Sequence, residues 1–212
     1  MKRLLALMLC AVSLGAEAQF VPFASTNFSQ IPDGYCISTE VVAHHEEGIL
    51  EGMTTYRFHL ECLNRQDYVS AIGGASVNSG GEPMILQCDS GWFNSAAELK
   101  GTAAGVDPQL FAFYPELQYD SYLTIGAQNI EETPANNLND VWGVINPLVE
   151  FQPGGGSSII VDDDIGGAIY VPYPLEGFTS SNQAFAQDDL RVLLLQVTTS
   201  GTFTGQVYMR SS

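Results

Sequence analysis

Basic residues are scarce in this sequence. Lys and Arg number 7 in 212 residues, against 24 Asp and Glu, and the formal net charge is −17. Nucleic acid and anionic lipid repel such a chain, so neither is expected as a partner. Histidine is nearly absent: His44, His45 and His59 are the whole set. Serine hydrolysis by a Ser-His-acid triad needs one of them beside a serine and an acid. The Gly-x-Ser-x-Gly elbow that would announce it does not occur. No Cys-x-x-Cys spacing exists among the 4 cysteines, which removes the common zinc frameworks. Beyond the first residues no apolar run is long enough to span a bilayer. Long amphipathic helical patterns and fixed-period repeats are missing as well. Charged residues make up only 15% of the chain and hydrophobic ones 45%, so it is not a disordered acidic tail.

What is present begins with a leader. Lys2 and Arg3 precede an apolar stretch from Leu4 to Leu14, and Ala16-Glu17-Ala18 gives the small-x-small pattern a signal peptidase reads. The expectation is a signal peptide over residues 1–18, cleaved before Gln19, and one domain over 19–212. Removing 18 of the 212 residues leaves 194, enough for a single core. The leader takes two of the basic residues and one acid with it, leaving a net charge of −18. Secretion or display at a cell surface follows as the expected localisation.

Cys36, Cys62 and Cys88 remain after cleavage. An oxidising exterior favours one disulfide among them, with three pairings open. Cys62 shares its strand face with Tyr56, Phe58 and Leu60, and Cys88 shares one with Met84 and Leu86. Both thiols are therefore expected to face the core, and Cys62–Cys88 is the preferred pair.

Turn residues divide the chain into about ten short apolar or alternating segments. Gly34 to Ala43 and Met53 to Leu63 read as a hairpin, with Tyr56, Phe58 and Leu60 alternating against Arg57, His59 and Glu61. Leu190 to Thr198 reads as a central strand buried on both faces, and Thr199-Ser200-Gly201 as a turn into a closing hairpin with Thr202 to Met209. Tyr119 to Ala127, Val141 to Ile145 and Leu148 to Phe151 are further strand candidates. From Trp92 to Leu117 the pattern breaks down; Asp107-Pro108 suggests a capped short helix there, with Phe111, Phe113, Tyr114 and Leu117 as anchors. The expected fold is all-β: an antiparallel β-sandwich of the jelly-roll type with one irregular loop and short-helix excursion.

Three segments share a further character: Thr54-Thr55-Tyr56-Arg57 followed by Asn64-Arg65-Gln66-Asp67-Tyr68-Val69-Ser70; Asp120-Ser121-Tyr122-Leu123-Thr124-Ile125-Gly126; and Asp188-Asp189-Leu190-Arg191-Val192-Leu193. Together they resemble a poorly characterised group of β-rich domains in secreted and surface proteins of marine-type bacteria, Bacteroidetes and Planctomycetes especially. Domains of that group often stand beside a sorting or anchoring tail. The resemblance implies secretion and a β-rich fold and brings no reaction with it.

Carboxylates bunched at turns are the strongest chemical signal. A hard cation such as Ca²⁺ wants about six to eight oxygens from a loop that bends around it. The sequence offers Asp120, Asp162, Asp163, Asp164, Asp188 and Asp189 as its ligands. The ordinary alternative is that each Asp caps a turn, with Asp188 or Asp189 paired to Arg191. Ca²⁺ is the one cofactor the sequence suggests. Trp92, Trp142, Tyr170 and Tyr173 lie near turns and are candidates for stacking on sugar rings, beside their plainer role as core or loop anchors. The function expected is a non-enzymatic secreted or surface protein in a matrix, adhesion or assembly role, with an extracellular protein or glycan as partner. A carbohydrate-binding module and a secreted hydrolase with two facing carboxylates are the alternatives.

Overall fold

The computed structural model of the chain describes residues 4–6, 33–132, 138–154 and 156–211. Strand β1 is Leu4–Ala6. The expected leader otherwise lies outside the described residues, including the cleavage site at Ala18–Gln19.

Strands β2, Cys36–His44, and β3, Thr54–Glu61, form the hairpin that the alternating pattern predicts. Tyr56 stands opposite Val41, Phe58 opposite Thr39 and Leu60 opposite Ile37. The buried side chains of Ile37, Phe58 and Leu60 therefore line one face of the pair. Strands β4, Val69–Gly74, and β5, Met84–Cys88, follow. Strand β6 is only Tyr122–Leu123, although the apolar pattern suggests a strand from Tyr119 to Ala127. Residues 120–127 are all buried, and beyond β6 Thr124 N and Gly126 N donate to Leu194 O (2.9 Å) and Leu193 O (2.7 Å) of the strand formed later by Arg191–Thr199. Strands β7, Asn139–Trp142, β8, Ser158–Val161, and β9, Gly167–Tyr170, come next. The segment Leu148 to Phe151, expected as a strand, lies in a 3-10 turn, Pro147–Phe151, because Asn146 caps it by accepting from Leu148 N (2.9 Å) with Pro in its first turn. The chain closes with β10, Arg191–Thr199, β11, Phe203–Gln206, and β12, Tyr208–Ser211.

Among the described residues every strand–strand pairing is antiparallel, and a lone parallel bridge joins Thr102 to Leu123. The strands make a five-stranded sheet ordered β1-β12-β4-β9-β7, a four-stranded sheet ordered β2-β3-β10-β6 and a three-stranded sheet ordered β11-β5-β8. The all-β sandwich-like class expected from the sequence is what the chain adopts. Its strands fall in three sheets, where a jelly roll has two. Side chains from all three meet in one core, with Leu60 and Val192 from the four-stranded sheet, Ile72 and Ile169 from the five-stranded sheet, and Leu86 and Ile159 from the three-stranded sheet.

Strand β10 is central, between β3 and β6, and all but its first residue are buried, as its apolar run predicts. The closing hairpin is not formed. β10 belongs to the four-stranded sheet, β11 pairs with β5 and β12 with β4. At Thr199–Thr202 the chain turns a corner instead of folding back. Asp89 Oδ1 accepts from Thr202 N (2.8 Å) and Thr199 Oγ1 donates to Gly91 O (2.6 Å), tying the corner to the end of β5.

The excursion from Trp92 to Leu117 is present as 3-10 turns around a second small core of Ala103, Val106, Leu117, Tyr122 and Ala127. Asp107 caps its turn by accepting from Gln109 N (2.9 Å), as expected. Of the expected anchors, Leu117 is buried and Phe111 packs against this core, while Phe113 and Tyr114 are exposed. The expected Cys62–Cys88 disulfide is absent. The core faces of the two strands do point inward, but in different sheets, and the thiols find other partners. Cys62 Sγ lies 3.8 Å from Leu60 O, and Cys88 Sγ donates to Gly91 O (3.1 Å) beside Thr199 Oγ1.

Candidate functional site

Two loops meet beyond the end of the β3–β10 pair and enclose an open cleft of about 660 Å³ lined by Leu63, Asn64, Arg65, Gln66, Asp67, Asp188 and Leu190. Backbone bonds lace the loops together. Cys62 N donates to Leu190 O (2.8 Å), Ala186 N to Asp67 O (2.9 Å) and Gln187 N to Arg65 O (3.1 Å). Asp67 closes the first loop: its Oδ2 accepts from Tyr35 Oη, Leu63 N and Asn64 N at 2.8–3.0 Å. That carboxylate is committed to local structure.

The second loop is strained. Gln187 and Leu190 both have φ of 57°, a left-handed conformation costly for residues with a side chain and a branched γ carbon. Gln187 is held there by its own amide, which donates to Thr179 O (3.1 Å) and Asn182 O (2.6 Å). The two strained residues bracket Asp188 and Asp189, which project into solvent. Arg65 reaches Asp188 at 3.1 Å and lies over the Phe178 ring, 4.9 Å from its centroid. Asp189 sits 3.7 Å from Arg191, which also approaches Glu40. Such exposed pairs add little stability. What the arrangement presents is one cation and one carboxylate 3.1 Å apart, beside Leu63 and Leu190.

A second cluster lies inside the excursion. Asp120 and Glu98 are both fully buried. Asp120 Oδ1 accepts from Ser95 N (2.6 Å), but Oδ2 has no hydrogen-bond partner among the described residues. Burial, reinforced by the nearby charge of Glu98, pushes the Asp120 carboxyl up to about 8, so at neutral pH it is held mostly protonated. Burial raises Glu98 as well, opposed by the backbone N–H groups of Gly101 and Lys100 that its carboxylate accepts from. The Asp120 backbone is anchored on β10, where Gln196 Nε2 donates to Asp120 O (2.8 Å).

The acids named as Ca²⁺ ligands are dispersed. Asp120 is sealed in the excursion, Asp162, Asp163 and Asp164 form the β8–β9 turn, and Asp188 and Asp189 edge the cleft. Asp163 Oδ1 accepts from Ile165 N and Gly166 N (2.8 Å each), the turn-capping role. No group of three or more His, Cys, Asp or Glu fit to hold a metal occurs among the described residues. Trp92 is no stacking platform. It is buried, its indole N–H donates to Glu150 O (2.7 Å) and its ring packs on Phe151 at 4.9 Å. Trp142 leans half-buried on the main core. Tyr170 and Tyr173 are exposed, and Tyr173 stands edge-on to Tyr68 at 5.0 Å.

The histidines make no triad. His44 and His45 bond the hydroxyls of Thr54 and Thr55 at 3.0 and 2.9 Å. Burial lowers the pKa of His59, with Arg191 adding to the effect, and Glu40 lies 3.8 Å away. Among the described residues no helix is long and apolar enough to cross a membrane.

Sequence reasoning missed Leu63, Arg65 and Leu190 as cleft residues. The available signal was that Asn64–Asp67 and Asp188–Arg191 each interrupt an apolar pattern with charge. Only their meeting in space makes a site of them. The third shared segment, around Tyr122–Leu123, pairs with Gln196 and Leu195 of β10. No family model, curated protein or solved structure matches the chain.

Proposed function

We propose that this chain is a non-enzymatic protein, exported by its leader to the cell exterior or surface, with a matrix, adhesion or assembly role. In this reading the Arg65–Asp188 cleft is its recognition point. The observation that carries it is the pair of left-handed residues, Gln187 and Leu190, bracketing Asp188 and Asp189. Backbone strain persists where the surrounding structure over-determines it, and it concentrates at ligand clamps. An exposed loop held so, with a cation and a carboxylate at its mouth, suits a zwitterionic or polar group on a partner protein or glycan. A sugar-binding variant of this reading rests on Tyr173, which is exposed and joined through Phe185 to Phe178 beneath Arg65.

The test uses the host cell. N-terminal sequencing of the protein recovered outside the cell is expected to begin at Gln19. A strain carrying Arg65→Ala with Asp188→Ala is expected to export the protein normally and to lose cell–cell or cell–surface attachment. Cytoplasmic protein with its leader intact would refute the export. Undiminished attachment by the double variant would refute the role of the cleft.

A further inference from the structure

Phe113 and Tyr114, two aromatics whose pattern marks them as core anchors, stand outside the fold. Phe113 is 78% exposed. The turn that carries them is nonetheless held on both sides. Leu110 and Phe111 pack on the second core. Phe113 N and Tyr114 N donate to Leu110 O (2.9 and 2.8 Å), and Leu117 N donates to Tyr114 O (3.0 Å). Pro108 and Pro115 open the flanking 3-10 turns and fix φ there. Phe113 is therefore a knob on a fixed backbone, with little backbone entropy left to lose when a partner closes over it. The cleft supplies a matching hollow. Leu63 is 51% exposed in its lining, and Leu190 lines it too. The planar Arg65 guanidinium already stacks on one aromatic ring, that of Phe178. Its volume of about 660 Å³ lies in the range of pockets that enclose groups larger than one aromatic ring.

We propose that the Phe113–Tyr114 knob of one copy of this chain seats in the Arg65–Asp188 cleft of another; this rests on the reading of that cleft as the recognition point and names its partner. The chemistry matches group by group. Phe113 covers Leu63 and Leu190, the Tyr114 hydroxyl donates to the Asp188 carboxylate, and Glu116 just after the knob supplies a carboxylate for the Arg65 cation. None of the knob residues lines the cleft of its own chain. The contact is therefore heterologous: every docked copy still has a free knob or a free cleft, and copies add head to tail. Open growth of this kind suits a matrix or assembly role. Copies with a formal net charge of −17 repel one another, so apolar burial has to carry the contact, and it strengthens as salt screens the repulsion.

Sedimentation velocity on the full chain, over a concentration series at low and high salt, reads the association. The wild type is expected to form species that grow past the dimer with concentration, and more so at high salt. Phe113→Ser with Tyr114→Ser removes the knob, and Leu63→Ser with Arg65→Ala spoils the cleft. Each variant alone is expected to associate about tenfold or more weakly. Mixed in equal amounts, the two keep one working contact between them, and a heterodimer that grows no further is expected. All four replaced residues are exposed, and unchanged melting checks that the variants are folded. Association that survives loss of the knob, that weakens with salt, or that a mixture of the variants does not restore as a heterodimer would overturn the proposal. A wild type that stays monomeric throughout would also overturn it. Lost attachment by the strain carrying Arg65→Ala with Asp188→Ala would then show the cleft recognising something other than a second copy. Head-to-tail growth with undiminished attachment by that strain would keep this contact and remove the attachment role.

Discussion

Replacing Asp120 by Asn separates a buried acid from the general acidity of the chain. The carboxyl is raised from 3.8 to about 8 in the folded protein. Between those values the folded state keeps a proton that the unfolded chain has released. Stability therefore falls as pH rises through that window, by at most ~1.4 kcal/mol per pH unit. From about pH 4 to about pH 7 the full effect would be ~4 kcal/mol, and relaxation of the turn around Ser95 brings the expected loss to ~1–3 kcal/mol. Asn at this position still offers an oxygen to Ser95 N and never ionises. It leaves one buried N–H group where Oδ2 stood, a cost of ~1 kcal/mol that does not depend on pH. Urea unfolding followed by tryptophan fluorescence, repeated across the window, gives both curves. The wild type is expected to lose stability steadily towards high pH, while Asp120→Asn starts slightly lower, declines less and overtakes it between about pH 5 and pH 7. Self-repulsion of the whole acidic chain acts on both proteins and on the exposed control Glu46→Gln, so the difference in slope belongs to Asp120. Parallel curves for wild type and Asp120→Asn would refute the reading of Asp120 as a protonated buried acid.

Further outcomes follow from packing and chemistry. Gly126 has φ of 81°, and a Cβ there would lie 1.9 Å from Gln183 O, so Gly126→Ala is expected to cost ~3 kcal/mol or more in urea unfolding. Cys62 is buried with its thiol pushed up to about 12, chiefly by burial, and is expected to resist iodoacetamide until the chain unfolds. Since no disulfide joins Cys62 to Cys88, a reducing agent is expected to leave the melting midpoint where it was; a clear fall would restore the bridge. Thr198→Val removes the hydroxyl that meets Thr55 Oγ1 at 2.7 Å and donates to Tyr119 O, and is expected to cost ~1–3 kcal/mol by calorimetry.

The sequence made local pairing plain and long-range pairing obscure. Tyr56, Phe58 and Leu60 announce β3 through a period of two, and the apolar run Val192-Leu193-Leu194-Leu195 with Val197 announces the buried β10. The fate of β11 was hidden because a Thr-Ser-Gly turn looks alike whether the chain folds back or turns a corner. Only the carboxylate of Asp89, far away in sequence, selects the corner. The thiols show the same limit. Alternation told correctly that Cys62 and Cys88 face inward, but not that they stand in different sheets. Charge interrupting an apolar pattern marked both Asn64–Asp67 and Asp188–Arg191, but nothing in the pattern told that Arg65 and Asp188 face each other across a cleft. Asp120 was expected as an open oxygen ligand because a lone Asp beside a strand usually faces water. Its burial beside Ser95 and Glu98, more than twenty residues away in sequence, leaves no trace in a hydrophobic pattern.

The corner at Thr199–Thr202 has a consequence for how the molecule assembles. The last three strands go to three different sheets: β10 into the middle of one, β11 onto the rim of another, β12 beside β4 in the third. A nascent chain lacking this closing stretch holds three unfinished layers and no seam to join them. Joining the layers therefore depends on strands far along the chain from their partners, and loop-closure entropy makes such distant matching slow.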